Sequence, residues 1–159
     1  MSKQNQHPCP LTGLPNCQQL FKRLKSEITI AKVQQSPLAL IMVDLDQLEE
    51  FNYEQRNKLL LQLGKLIKQS IKNTDYVARC YPANFAIILR HINLNQAYRV
   101  AQRLLDILEQ QTIVFPEQKI TVTASAGIAE LSQDMDAVGL LRAAEAAMQH
   151  ARKCGVSIL

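Results

Sequence analysis

Two acidic residues end a long apolar stretch of the sequence. The segment LALIMVDLD, residues 38–46, is almost continuously apolar until Asp44 and Asp46, and such a run favours a central β-strand buried on both faces. Acids at positions i and i+2 lie on the same side of a strand, and carboxylate oxygens there suit Mg²⁺ held jointly with a nucleotide phosphate. The alternative is that Asp46 caps the short helix that follows and Asp44 accepts backbone hydrogen bonds.

A metal site usually needs a third ligand, which the predicted hairpin YVARCYPANFAIIL would have to supply. Its pattern predicts a strand at Tyr76–Cys80, a tight turn at 81–84 and an apolar strand at 85–89. The turn contains no carboxylate, histidine or glycine. Pro82 presets φ for the second position of a type I turn, and Asn84 suits a later position. Turn chemistry alone therefore explains these residues.

Three other kinds of site find no support in the sequence. His7, His91 and His150 lie far apart and show no metal-ligand spacing. Ser125 lies in TASAGIA, not in the G-x-S-x-G elbow of a hydrolase. The turn-rich segment LTGLPN, residues 11–16, lacks the G-x-x-x-x-G-K-[ST] pattern of a phosphate-binding loop.

Four lysines are predicted on the outer face of one helix, namely Lys58, Lys65, Lys68 and Lys72. A solvated face is the expected role, and an anion-binding stripe is the alternative. The net charge of +4 permits an anionic partner without requiring one. Aromatic residues make up only 5% of the chain, which argues against a sheet that stacks nucleic-acid bases.

Size and composition predict one domain spanning 1–159, with residues 1–8 expected to be flexible. The chain has 159 residues, of which 47% are hydrophobic, enough for a substantial core. No apolar run reaches the roughly 18 residues of a membrane span, and the start MSKQNQHPCP lacks the apolar core of a signal peptide. The four scattered cysteines form no C-x-x-C pair, which favours reduced thiols in a cytoplasmic protein.

The elements that must position these residues follow from hydrophobic periodicity. Asn16 is a predicted N-cap, and the apolar Val77 and Ile87 are predicted in the core. The predicted helices span 17–33, 58–71, 93–111 and 136–155, and the strands span 38–46, the hairpin, 119–131 and an edge strand at 156–159. This order predicts an α+β fold with a mainly antiparallel central sheet covered by helices.

Four segments together resemble the GGDEF family, the diguanylate cyclase domain of bacterial signalling. They are PLTGLPN (10–16), LIMVDLDQLEEFN (40–52), VTASAGIA (122–129) and LLRAAEAAMQHARKCG (140–155). They occur in the family's order and span nearly the whole chain. The resemblance implies the family's nucleotide-cyclase-like palm.

The family's signature hairpin is altered in this sequence. DYVARCYPANF aligns with D-x-V-A-R-Y-G-G-D-E-F, so the signature reads Tyr81-Pro82-Ala83-Asn84-Phe85. The paired glycines, which let the family's backbone approach GTP, are replaced by tyrosine and proline. The two acids, which serve metal binding and catalysis in the family, are replaced by alanine and asparagine. Only Phe85, a core residue, remains.

Other family positions are partly retained. By resemblance, Asp44 corresponds to a metal-binding aspartate and Leu45 to a residue that ligates through its carbonyl. Asn52 corresponds to a guanine-contacting asparagine, and Arg152 to a phosphate-contacting lysine. In KNTD, Lys72 replaces the arginine of the inhibitory R-x-x-D motif, while Asp75 keeps its aspartate.

Two further positions lose the family residue. A guanine-reading aspartate falls on Asn57, and a second phosphate-contacting arginine falls on Val156. Between Asn52 and Asn57 the loop NYEQRN is about four residues shorter than the family pattern. The resemblance therefore predicts a catalytically inactive domain that acts as a regulatory or protein-interaction module.

The alternatives are an effector domain that binds GTP or cyclic-di-GMP without turnover, and an active diguanylate cyclase. No cofactor is expected, and Mg²⁺ only if GTP binding is retained. The expected partner is another protein or domain of a cyclic-di-GMP pathway, with a homodimer as an open alternative. No membrane-spanning segment is expected, and nucleic acid is not expected as a partner.

Overall fold

The structure is a computed structural model that describes residues 7–80 and 84–153. The predicted turn at 81–83 and the predicted edge strand at 156–159 lie outside the described residues. So do residues 1–6 of the segment expected to be flexible. Among the helices described, none is long and apolar enough to cross a membrane.

Within residues 7–80 and 84–153, four long helices and six strands alternate irregularly. In order they are α1 (Cys17–Gln34), β1 (Leu38–Leu45), a 3₁₀ turn (Leu48–Glu50), α2 (Tyr53–Ser70), β2 (Tyr76–Cys80), β3 (Asn84–Arg90), α3 (Leu94–Glu109), β4 (Thr112–Val114), β5 (Lys119–Thr121), β6 (Ala124–Glu130) and α4 (Ala137–Lys153). The main sheet has the order β2-β3-β1-β6, and β4 and β5 form a separate ribbon. Every neighbouring pair is antiparallel, which confirms the predicted α+β class.

The main sheet is covered by two helices on each face. The central strand β1 is buried along its whole length. Its odd-numbered residues, such as Ile41 and Val43, pack with α2 and α3. Its even-numbered residues, such as Leu40 and Met42, pack with α1 and α4. Strand alternation thus assigns Asp44 to the face that α1 and α4 cover.

Three of the helices begin at an asparagine with glutamine three residues later. Asn16, Asn52 and Asn93 each accept a hydrogen bond from that glutamine's backbone N–H, and the glutamine side chain accepts one from the asparagine's N–H. This reciprocal capping box satisfies two otherwise unpaired backbone donors. The N-cap predicted at Asn16 is confirmed, whereas α2 begins at Tyr53 and not at 58 because Asn52 caps it.

The hairpin is formed as predicted on both sides of its tip. Val77 and Ile87 are buried and lie directly opposite each other. Asn84 is the first residue of β3 and not a turn residue. The predicted apex residue, Pro82, lies outside the described residues.

Two other expectations are corrected. The predicted strand 119–131 is divided into β5 and β6, since β5 pairs with β4 while β6 joins the main sheet. Lys72 does not continue the lysine face of α2, because the helix ends at Ser70 and is capped by the extended Ile71.

Helix α4 lies unusually close to β6. A Cβ atom added to Gly127 would overlap the backbone nitrogen of Met148 and the carbonyl oxygen of Ala144, and would lie 2.6 Å from Met148 Cα. Only a residue without a side chain permits this approach. The contact fixes α4 against the sheet, and with it Arg152 in the last turn of the helix.

Candidate functional site

Four polar or polarisable residues form a row across the end of the main sheet. Cys80 pairs with Asn84, Asn84 with Asp44, and Asp44 with Ser125, on β2, β3, β1 and β6 respectively. Directly opposite residues of antiparallel strands project from the same face of the sheet. The register therefore brings together Asp44 and Asn84, the positions at which the family resemblance predicts two acids of the site. One of them is an amide in this chain.

Asp44 is paired with an arginine from the same chain. Arg152 Nη1 donates to Asp44 Oδ2 over 2.7 Å. The Asp44 side chain is 9% exposed and that of Arg152 is 45% exposed. The geometry brings together two predicted site residues that are 108 positions apart in sequence. The guanidinium is a fixed cation whose donors suit a carboxylate.

Burial and nearby acids oppose the charge on Asp44. Burial raises the pKa of Asp44 and is the largest influence; Arg152 lowers it, and the carboxylates of Asp46 and Glu49 raise it. The net pKa is above its ordinary value. The arginine therefore offsets only part of the cost of a buried carboxylate.

Asp46 is held by β6 and does not cap the short helix. Its Oδ2 accepts from Thr123 Oγ1 over 2.8 Å, and its Oδ1 accepts from Ser125 Oγ over 2.9 Å. The backbone N–H of Asp46 also donates to the Thr123 carbonyl. The 3₁₀ turn has Gln47 as its N-cap, without a side-chain capping bond. The alternative sequence interpretation of Asp46 was therefore wrong.

These residues do not fit a Mg²⁺ site of the family type. One oxygen of Asp44 is engaged by a guanidinium, both oxygens of Asp46 accept hydroxyl hydrogen bonds, and Asn84 carries no charge. Within 7–80 and 84–153, no three His, Cys, Asp or Glu side chains are grouped so that they could hold a metal ion. Leu45, whose carbonyl was the other expected ligand, has its side chain in the core on the α2 and α3 face.

Asn52, the expected guanine contact, has a structural role. Its Oδ1 accepts from Gln55 N–H over 2.8 Å, and its own N–H donates to Gln55 Oε1 over 3.1 Å. The residue is exposed at the start of α2. Its capping role explains why asparagine occurs here.

Lys72 and Asp75 form a closed turn between α2 and β2. Asp75 Oδ2 accepts from the Lys72 N–H over 3.1 Å, and the Asp75 N–H donates to the Lys72 carbonyl over 3.0 Å. Burial raises the pKa of Asp75, against the lowering effect of its backbone hydrogen bonds. This turn precedes β2, whereas the row with Asp44 lies at the strand's other end. The two sets of predicted residues are thus separate.

Two partners of the carboxylates were missed in the sequence. Thr123, just before β6, and Ser125, inside it, together hold Asp46. The alternation in TASAG places two hydroxyls at i and i+2, but only the strand register reveals their partner. Val156 and residues 81–83, which also belong to the aligned site, lie outside the described part of the chain.

Known structures with the same fold extend across nearly the whole chain. The GGDEF domain of DgcB from Caulobacter crescentus, solved in complex with c-di-GMP, gives a TM-score of 0.91 at 16% identity over 99% of this chain and 97% of that one. The diguanylate cyclase SiaD from Pseudomonas aeruginosa, solved with its activator SiaC, gives 0.90 at 23% identity over 95% and 60%. These similarities confirm the nucleotide-cyclase-like palm.

The sequence comparisons establish the family. The uncharacterized protein YhcK of Bacillus subtilis is 30% identical over 142 residues, which cover 82% of this chain. The chain spans only 38% of that relative's length. The family model described as "Diguanylate cyclase, GGDEF domain" matches residues 9–157. By sequence and fold, the chain belongs to the GGDEF domain family.

Proposed function

We propose that this chain is a catalytically silent GGDEF domain that acts as a regulatory or interaction module in cytoplasmic cyclic-di-GMP signalling. The observation that carries the proposal is the Asp44–Arg152 ion pair, with Asn84 opposite Asp44 in the sheet. A cation of the chain itself engages the retained acid, and the second acid is absent. The ion pair thus occupies the retained acid with a cation of the chain and offsets part of the cost of its burial.

Loss of charge at this position weakens the expected chemistry severely. Metal-assisted phosphoryl transfer depends on carboxylates that hold the cations which stabilise developing charge. Removal of one electrostatic contributor typically costs about 100-fold or more in rate. Here Ala83 and Asn84 replace both signature acids, so the expected loss is larger than that of a single substitution.

The proposed partner is a protein or domain of the same signalling pathway. SiaD, whose chain includes this fold, was solved together with an activator protein, and this precedent supports a protein partner. A second copy of this chain is the other candidate. Size-exclusion chromatography with light scattering, over a range of concentrations, distinguishes a homodimer from a monomer that needs another protein.

An assay for cyclic-di-GMP tests directly the proposal that the chain is catalytically inactive. The full chain is incubated with Mg-GTP and with Mn-GTP, and cyclic-di-GMP is quantified by chromatography beside an active diguanylate cyclase and a no-protein control. We expect no product above the no-protein control. Clear turnover in a clean preparation, lost in Asp44→Ala, would contradict the proposal.

Retained ligand binding without turnover is the second candidate function. It is favoured by Arg152, whose half-exposed guanidinium could also meet a phosphate, and by the Lys72–Asp75 turn. One charged hydrogen bond contributes about 1.5–3 kcal/mol, whereas a Kd of about 1 mM already requires about 4 kcal/mol.

Calorimetry is expected to give a Kd for Mg-GTP no tighter than about 1 mM. Micromolar binding that disappears in Asp44→Ala would identify a GTP sensor, and cyclic-di-GMP is titrated in parallel.

A further inference from the structure

Two cysteines meet where α1 begins and β2 ends. Cys17 is the first residue of α1, and Cys80 is the last residue of β2. The Arg79 N–H donates to the Pro15 carbonyl over 2.9 Å, which ties the two backbones together beside these positions. Residues 63 apart in sequence thus lie on neighbouring ends of α1 and β2, and each thiol influences the pKa of the other.

The two thiols differ in their access to solvent. Cys17 is exposed, while Cys80 is only 4% exposed and belongs to the core beneath α1. A reagent from solution therefore reaches Cys17 first. Cys80, which is nearly buried, would then act as the resolving thiol.

The surroundings favour the thiolate of Cys17. The hydrogen bond from Cys80 lowers the pKa of Cys17 to about 7, although burial and Glu145 of α4 oppose the charge. The same hydrogen bond is the largest cause that raises the pKa of Cys80, with Arg79 acting in the opposite direction. A position in the first turn of a helix also favours a thiolate.

We propose that Cys17 and Cys80 form a peroxide-sensitive dithiol that closes to an intramolecular disulfide. The Cys17 thiolate attacks one oxygen of hydrogen peroxide, the O–O bond breaks, and the departing hydroxide is protonated to water. The product at Cys17 is a sulfenic acid. The Cys80 sulfur then attacks that sulfur, the S–O bond breaks, and hydroxide leaves with the Cys80 proton as a second water. Each sulfur is oxidised by one electron, and the peroxide is reduced by two.

The first step prepares the second. Once Cys17 is a sulfenic acid, its thiolate no longer exists to receive the Cys80 proton. The main cause of the raised Cys80 pKa is then gone. The Cys80 thiol then becomes easier to ionise beside the positive Arg79. The thiolate is the form that attacks in such exchange reactions.

The disulfide would join the start of α1 to the base of the signature hairpin. Cys80 lies opposite Asn84 in the same row as Asp44. The link would hold this end of the sheet against α1 and limit opening of β2 and β3. This consequence requires no nucleotide binding and is independent of the proposed catalytic silence.

A third thiol supplies a matched control. Cys9 is buried, and its Sγ accepts from Arg79 Nη1 over 3.3 Å, on the same arginine that neighbours Cys80. It is a rival resolving thiol in similar surroundings. Cys9→Ser therefore tests whether the proposed pairing is specific.

The test maps disulfides in the full chain. Reduced protein is treated with hydrogen peroxide near neutral pH, free thiols are blocked, and non-reduced peptides are identified by mass spectrometry. We expect a Cys17–Cys80 link in the unaltered protein and in Cys9→Ser, reversed by dithiothreitol, and no such link in Cys17→Ser or Cys80→Ala. The Tm should rise on oxidation only where the link forms.

Three outcomes in the unaltered protein would overturn the proposal. They are a link from Cys17 to Cys9 or Cys154, a disulfide between two chains, and sulfinic acid at Cys17 without any link. Cys17→Ser changes an exposed residue, so its folding is checked by its reduced Tm. If Cys17→Ser has a normal reduced Tm but still forms a disulfide that contains Cys80, that result would also contradict the assignment.

Discussion

Arg152 Nη1 lies 2.7 Å from Asp44 Oδ2 and joins the last turn of α4 to the end of β1. The carboxylate is nearly buried and the guanidinium is half exposed. Water screens the arginine, so the attraction is worth less than in a fully buried pair. Its main effect is to satisfy an acid that would otherwise be left alone in the sheet.

A double-mutant cycle measures this coupling. Arg152→Met should lower the free energy of unfolding by about 1 kcal/mol in the unaltered chain, because Asp44 loses its partner. In an Asp44→Asn background the same change should cost close to nothing. Urea denaturation of the four proteins gives the coupling energy. Equal costs in both backgrounds would show that Arg152 contributes only packing.

Restoring the missing acid should create a cation site. In Asn84→Glu combined with Arg152→Ala, two carboxylates face each other across β1 and β3 without the competing guanidinium. We expect Mn²⁺ affinity, measured by electron paramagnetic resonance, to rise about tenfold or more over the unaltered chain, which corresponds to about 1.4 kcal/mol.

The matched control for that variant is Asn84→Gln with Arg152→Ala. It has the same side-chain length but no second charge. If the control binds Mn²⁺ equally well, removal of Arg152 alone accounts for the gain in affinity. A second carboxylate at position 84 would then not contribute to the cation site.

The fold could be predicted because its signals are local. The apolar run of β1 and the helical spacing of Leu59, Leu63 and Ile67 follow directly from periodicity. The start of α2 was missed although Asn52 and Gln55 form the recognisable N-x-x-Q pattern. The β4–β5 ribbon was missed because its strands have three residues each, too few to show alternation.

The site could be predicted only in part because its contacts are not local. The family resemblance predicted Asp44 and Arg152 as two separate site residues. Their pairing depends on how closely α4 lies on β6, which Gly127 permits. The hydroxyl partners of Asp46 depend on the β1–β6 register. Neither relationship is encoded in the spacing of residues within one element.

Asp44 should make stability depend on pH. Its folded-state pKa is raised above the ordinary value of 3.8, mainly by burial. Its contribution to stability is therefore fully present below 3.8 and is lost as the pH rises through the folded pKa. Asp44→Asn should accordingly become more stable relative to the unaltered chain as the pH rises to about 7.

Urea midpoints measured from below the ordinary pKa of Asp44 to neutral pH test this dependence. Asp44→Asn removes the titrating carboxyl but keeps the side-chain size. A difference that shrinks or reverses as the pH rises would mean that Arg152 outweighs burial and lowers the Asp44 pKa instead.

Two glycine substitutions should act in opposite directions. Gly127→Ala places a Cβ on the backbone of Met148, so it should cost about 1–3 kcal/mol or more. Gly64→Ala lies inside α2, where the new Cβ meets Phe85 at 3.4 Å and Leu14 at 3.5 Å, ordinary contact distances. It should stabilise by about 0.5–1 kcal/mol through helix propensity. Thermal and urea unfolding measure both changes, and a tolerated Gly127→Ala would mean that α4 shifts easily on the sheet.

Cys17 should be alkylated at neutral pH. Its pKa is lowered to about 7 from an ordinary 9.0, chiefly by the hydrogen bond from Cys80. The rate of Cys17 modification by iodoacetamide, followed by peptide mass spectrometry, should therefore have its midpoint near pH 7.

In Cys80→Ala the hydrogen bond to Cys17 is absent, while burial and Glu145 still oppose the thiolate. The midpoint should then move upward to 9.0 or above, whereas Cys9→Ser should leave it unchanged. A midpoint that stays near 7 in Cys80→Ala would assign the activation to the start of α1 and not to the second thiol.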